Sequence, residues 1–258
     1  MAVPSNELHW VAETSFGGII ARFHLRRRDV EPLLPPDVCL EPRSARSDRI
    51  PVLVALGDHT APVVHMSGLR VHTGVSFREV FFGVRCRRRA APGAALFVPW
   101  MYCDESMSTW TGNALYGFNK QAASMEWLGD SFVVTQSGTM VLQALAEVSG
   151  SRCESVSRWN LPAGLAVVGR RRDGSQATCR FAWDWSRAST ERARVALVPG
   201  VGAPDPLAAA PIFSRNAVRV RNLIWRISWP SACHSLREKR HLQSRPVMDQ
   251  LANVYPVR

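Results

Sequence analysis

Apolar residues run along most of this chain in stretches of strand length, punctuated by glycine, proline and charged turns. Gly17 to Leu25 alternates in its second part, with Ile20, Arg22 and His24 on one side and Ala21, Phe23 and Leu25 on the other. Ile50–Leu56, Val80–Val84 and Ala95–Tyr102 are continuous apolar runs and predict three further strands. Between the first two strands, Asp29–Leu34 predicts one or two helical turns, stopped by Pro35 and Pro36. After Tyr102 the pattern changes. Asp104 is placed to cap a short helix over roughly Glu105 to Tyr116, with Gly117 as its stop and Lys120 at the start of the next extended segment. Ser131–Thr135 and Thr139–Ala146 read as strands, and Leu165–Gly169 with Ala177–Trp183 as a hairpin across Asp173 and Gly174. Arg192–Val198 and Ala217–Ile227 alternate well enough for two more strands, or a strand and a short helix. Val201–Ala210 reads as a loop. The sum is a β-rich α+β domain over residues 1–230, followed by a polar tail over 231–258.

Composition narrows the class. Hydrophobic residues at 46% and charged ones at 21% describe a globular protein. No apolar stretch approaches the ~18 residues a membrane helix needs. The first ten residues lack the basic and apolar regions of a secretory signal, and a cytoplasmic location is expected. The six cysteines are scattered, which fits reduced thiols. A net charge of +11 raises nucleic acid as a partner, with clusters at Arg26–Arg28, Arg85–Arg89 and Arg170–Arg172. Each cluster follows an apolar run, however, as at the turn end of a strand, and no nucleic-acid motif accompanies them; a nucleic-acid partner is not expected.

The charge composition is also skewed. Only two of the 32 Lys plus Arg residues are lysines, Lys120 and Lys239. Lys120 stands in an otherwise uncharged run, Ser106–Met125. Arginine keeps its proton in proteins, whereas a desolvated lysine can lose it and become a nucleophile. Two readings stand side by side: a surface lysine with its stem over apolar neighbours, or a reactive amine. His59, His65 and His72 lack metal-ligand spacing, so no metal is expected. No Gly-rich phosphate loop or Gly-x-Ser-x-Gly elbow is present, and no cofactor is expected.

The segment Met101–Gln121 resembles the signature of acetoacetate decarboxylase, where a short helix carrying Gly-Arg-Glu runs into an aromatic-Pro-Lys-Lys sequence. The first lysine of that pair, the family's Schiff-base nucleophile, falls on Lys120. Leu33 to Val38 looks like the family's Leu-Leu-Pro-x-x-Leu, and Phe77-Arg78-Glu79 like its Tyr-x-Glu, whose carboxylate lies in the active site. The resemblance implies a cone-shaped, open antiparallel β-barrel with few peripheral helices, and a homo-oligomer. It further implies a Schiff-base-forming lyase that decarboxylates a small β-keto acid through Lys120. Glu79 would transfer protons, and Gln121, Phe118 and Trp110 would line the substrate, with Trp100 as a further wall. The departures are Gln121 for the second lysine, Gly112-Asn113-Ala114 for Gly-Arg-Glu and Asn119 for the proline. No acid stands near Leu53 and Val54, and no arginine near Phe16, where the family places them. With Gln121 in place of a cation, desolvation alone would have to activate the amine. A pyruvate aldolase-dehydratase of the same superfamily and a non-catalytic ligand-binding descendant remain open.

Overall fold

The continuous apolar runs have a simple cause: their residues are buried on both faces of the strands they enter. The computed structural model describes residues 10–41, 47–66, 69–89, 93–153, 165–208 and 211–232. Its strands are β1 (Trp10–Arg26), β2 (Val38–Leu40), β3 (Arg49–Met66), β4 (Leu69–His72), β5 (Phe77–Arg88), β6 (Ala94–Phe97), β7 (Met101–Cys103) and β8 (Lys120–Ala122). They continue with β9 (Ser124–Leu128), β10 (Ser131–Gln136), β11 (Thr139–Arg152), β12 (Leu165–Arg170), β13 (Gln176–Asp184), β14 (Ser189–Pro199), β15 (Ile212–Ser228) and β16 (Ser231–Ala232). Helices are short: α1 (Arg27–Val30), α2 (Ser106–Thr111) and α3 (Asp205–Ala208).

The ladder runs β16-β13-β12-β6-β5-β3-β1-β15-β14-β11-β10-β9. Because β13 also pairs with β15, the circuit β13-β12-β6-β5-β3-β1-β15 closes on itself. Pairing is antiparallel except between β12 and β6 and between β7 and β8. Alternation along the ring strands sends Phe16, Ile20, Leu53, Ala55, Phe81 and Val218 into one core, within the ring. The opposite parity, including Phe23, Val54 and Phe82, joins Phe132, Val134 and Val195 in a second core beneath β9–β11 and β14.

Most expected strands are present, several of them longer than their apolar runs. The hairpin forms at Gly174, with φ 82°. The two turns after β1 appear as α1 and a 3-10 turn over Glu31–Leu33, ended before Pro35. Three expectations need correction. Ala95–Tyr102 is two strands, since Val98–Trp100 lie outside any ladder and Pro99 has no N–H to give one. Val201–Ala210 contains α3. The cap of α2 is Glu105, whose carboxylate accepts the Met107 N–H at 2.8 Å and the Ser108 N–H. Asp104 instead accepts the Arg78 N–H at 2.7 Å. The tail expected over 231–258 lies outside the described residues beyond Ala232; Ser231 and Ala232 pair with β13.

Candidate active site

Splitting the long apolar run at Pro99 sets β7 where it meets two partners. One edge pairs with β5, opposing Cys103 to Glu79; the other pairs in parallel with β8, opposing Met101 to Lys120. Residues 41 positions apart thereby converge, and Lys120 Nζ donates to Glu79 Oε2 at 2.5 Å and to Ser108 Oγ at 2.9 Å. Local geometry holds the lysine from several sides. After α2 the chain widens into one π-helical turn over Gly112–Tyr116, closed by Gly117 at φ 67°. Asn113 on that turn clamps the Lys120 backbone: its Oδ1 accepts the Lys120 N–H at 2.5 Å and its Nδ2 donates to the Lys120 carbonyl at 2.8 Å. The stem of Lys120 lies directly over Gly112, where a β-carbon would stand 2.7 Å from Cδ and Cε. Single π turns of this kind frequently mark functional positions.

The Lys120 and Glu79 side chains are each 7% exposed. The Phe77 ring centroid lies 5.7 Å from Nζ, and His59 stacks on Phe77 at 4.7 Å. His59 Nε2 is 3.8 Å from Glu79 Oε1, beyond hydrogen-bond range. Phe16 and Trp225 close the other sides of the imidazole. Burial is the largest influence on Lys120 and pulls its pKa down, yet Glu79 outweighs it, with smaller help from Cys103 and Glu105, and the pKa is raised. Burial raises the Cys103 thiol as well, and beside Glu79 the Lys120 ammonium keeps its proton. His59 is pushed down to about 4, chiefly by burial, and is neutral at pH 7. It is 3% exposed and neither ring nitrogen has a hydrogen-bond partner. Leaving such a group unpaired costs about 1–3 kcal/mol.

An amine and a carboxylate in contact, enclosed and flanked by a hydroxyl, can exchange a proton without water. Glu79 shares its face of β5 with Phe81, which packs on Trp225, itself edge-on to Phe181. Comparison with solved structures gives the architecture a name. An acetoacetate decarboxylase-like enzyme from Sphingomonas wittichii RW1 superposes with a TM-score of 0.60 at 13% identity, over 92% of this chain and 98% of that one. This chain has the acetoacetate decarboxylase-like fold. Acetoacetate decarboxylase from Legionella pneumophila matches equally well in shape, with a TM-score of 0.60 at 12% identity over 92% and 94% of the chains. The enduracididine biosynthesis enzyme MppR, complexed with the condensation product of pyruvate and imidazole 4-carboxaldehyde, gives 0.58 at 12% identity over 86% and 88%. No protein-family model matches the sequence, and no curated protein is significantly similar to it.

Within this acetoacetate decarboxylase-like fold, Lys120 and Glu79 meet, and the other residues expected at the site lie elsewhere. Phe118 is buried in the ring core, stacked on Tyr116 and edge-on to Phe181. Trp100 packs on Phe82 in the second core. Trp110 sits on α2 and is 43% exposed. Gln121 follows Lys120 on β8 and so faces the other way; its Oε1 accepts from Gln136 Nε2 at 3.3 Å. Desolvation was expected to govern the amine, and the contact with Glu79 reverses the outcome. Sequence reading weighed His59 only as a metal ligand, named Phe77 and Asn113 only as motif positions, and gave Ser108 no place beside the amine. For His59 a signal existed: continuing the parity of Leu53 and Ala55 through Gly57 sets His59 on the inward face. Among the described residues, no group of three His, Cys, Asp or Glu could hold a metal ion. No helix among them is long and apolar enough to cross a membrane. A separate surface groove of about 590 Å³, lined by residues such as Leu128, Leu145 and Phe213, shares no residue with this cluster.

Proposed function

We propose that this protein is a Schiff-base-forming carbon–carbon lyase that decarboxylates a small β-keto acid, with Lys120 as nucleophile and Glu79 as its acid and base. The observation that carries the reading is the buried 2.5 Å contact between Lys120 Nζ and Glu79. Glu79 takes a proton from the ammonium, and the neutral amine adds to the substrate carbonyl. The amine proton moves to the former carbonyl oxygen, giving a neutral carbinolamine. Glu79 then protonates that hydroxyl, water leaves, and an iminium ion faces the restored carboxylate. One positive and one negative charge therefore stand in the same places before and after. The electron pair of the carboxylate-bearing bond next flows into the iminium, releasing carbon dioxide and leaving a neutral enamine. A proton from solvent adds to the enamine carbon and regenerates an iminium; water, deprotonated by Glu79, adds to it, and collapse of the carbinolamine frees the ketone and returns the Lys120 ammonium beside the Glu79 carboxylate. The departing step cancels the substrate's negative charge against the iminium, which a poorly solvated site favours over retaining both.

A second reading, a pyruvate aldolase-dehydratase, has one observation in its favour: the likeness to MppR and the condensation product in its structure. There the iminium loses a methyl proton to Glu79, and the resulting enamine attacks an aldehyde. Incubation with acetoacetate, or with pyruvate and an aldehyde, followed by borohydride reduction and mass spectrometry, tests both. We expect an adduct on Lys120 with acetoacetate, release of acetone, and neither in a folded Lys120→Arg variant. Full turnover in that variant, or no adduct from either keto acid, overturns the covalent mechanism. A condensation product without acetone release favours the second reading.

A further inference from the structure

His59 has no part in the steps above, and its position is costly. Its ring is enclosed by Phe77, Phe16 and Trp225, yet both nitrogens lack a partner. A phenylalanine would fill the same aromatic space without burying two polar atoms. We propose that the His59 imidazole holds the carboxylate of the keto-acid substrate and so selects substrates that carry one. This rests on the reading of Lys120 as the nucleophile.

Three observations lead there. First, amine and imidazole share Glu79: Nζ lies 2.5 Å from Oε2, and Nε2 lies 3.8 Å from Oε1. The carboxyl carbon of a β-keto acid is two bonds from the carbonyl carbon, at about 1.5 Å per bond, so the carboxylate of a molecule bonded to Lys120 stays close to the Glu79 side chain that both groups adjoin. Second, the position where the family resemblance places an arginine is near Phe16, whose ring centroid is 5.1 Å from that of His59. The charged neighbour that weighs most on Lys120 is Glu79, a carboxylate rather than a guanidinium. Third, an imidazole that resists protonation offers a hydrogen bond without a charge. A guanidinium would bind the carboxylate tightly and oppose its loss as carbon dioxide. A neutral donor orients the same group and leaves its electron pair free to move.

The test uses 3-hydroxybutyrate, which keeps the carbon skeleton and carboxylate of acetoacetate but has no carbonyl to react with Lys120. Its binding is measured by calorimetry in wild type, His59→Phe and His59→Gln, with butan-2-ol as the ligand lacking a carboxylate. We expect at least a tenfold loss of 3-hydroxybutyrate affinity in His59→Phe, the size of one hydrogen bond to a charged group. Partial recovery is expected in His59→Gln, which restores a donor, and no difference between the proteins with butan-2-ol. Equal affinity of wild type and His59→Phe, or no binding by wild type, overturns the assignment and leaves His59 a packing residue. If that pattern holds while borohydride traps nothing on wild-type Lys120, the carboxylate site stands and the Schiff-base mechanism falls.

Discussion

Replacing Glu79 by glutamine keeps the side chain's shape and removes its charge, which isolates the feature on which Lys120 depends. In the native protein, burial pulls the Lys120 pKa down and Glu79 more than restores it. In Glu79→Gln the downward pull is unopposed by that carboxylate, and the pKa falls. The folded variant then has two routes. Keeping the ammonium leaves a buried charge without its counter-ion, at about 3–5 kcal/mol. Shedding the proton from a group whose ordinary value is 10.5 costs, at pH 7, 3.5 units at 1.36 kcal/mol each, or about 5 kcal/mol. Either way the variant loses about 3–5 kcal/mol at neutral pH. The second route becomes cheaper by about 1.4 kcal/mol for each unit of rising pH. A folded pKa below the unfolded one means that the unfolded chain binds the extra proton, so the variant gains stability as pH climbs toward 10.5. The gap to wild type should therefore narrow between pH 7 and 10. Urea unfolding across that range measures the gap. With only two lysines in the chain, Lys120 and Lys239, selective carbon-13 labelling gives two ε-carbon signals and a direct titration of Lys120. A Lys120 midpoint in the variant equal to or above that of wild type would refute the electrostatic argument.

Two further predictions follow from the same geometry. Gly112→Ala sets a methyl group 2.7 Å from Cδ and Cε of Lys120, so the stem must swing aside; trapping at Lys120 should fall more than tenfold while the unfolding midpoint shifts little, and unchanged trapping would show that the stem has room. His59 has a folded pKa of about 4 against 6.5 for the free residue, so its contribution to stability is whole above pH 6.5 and is lost as pH falls toward 4. The loss is about 2–3 kcal/mol between pH 7.5 and 4.5. His59→Phe should be spared that part of acid destabilisation in paired urea titrations, and equal losses in the two proteins would count against a buried neutral imidazole.

The strands, and Lys120 as the residue to look at, were legible without any fold. Period-two alternation and short apolar runs mark most of the ladder because each residue's face on a strand is set by local geometry. Lys120 stands out because arginine supplies nearly all the other positive charge. Gly117 ends the helical segment as expected because the left-handed turn there suits a residue without a β-carbon. What surrounds the amine depends on strand pairing across the sheet. Glu79 reaches Lys120 through two ladders, β5 to β7 and β7 to β8, and their registers are long-range facts with no local signature. Phe118 and Lys120 are two apart, which would put them on one face of a regular strand, but Asn119 at φ 51° breaks the alternation and sends Phe118 into the core. Glu105 takes the cap from Asp104 because Asp104 is engaged by the Arg78 backbone on β5, a contact made only when the sheet assembles. His59 became visible as a site residue once β3 was seen to run past the apolar stretch to Met66. A local pattern fixes which way a side chain points; only the packed sheet fixes what it meets there.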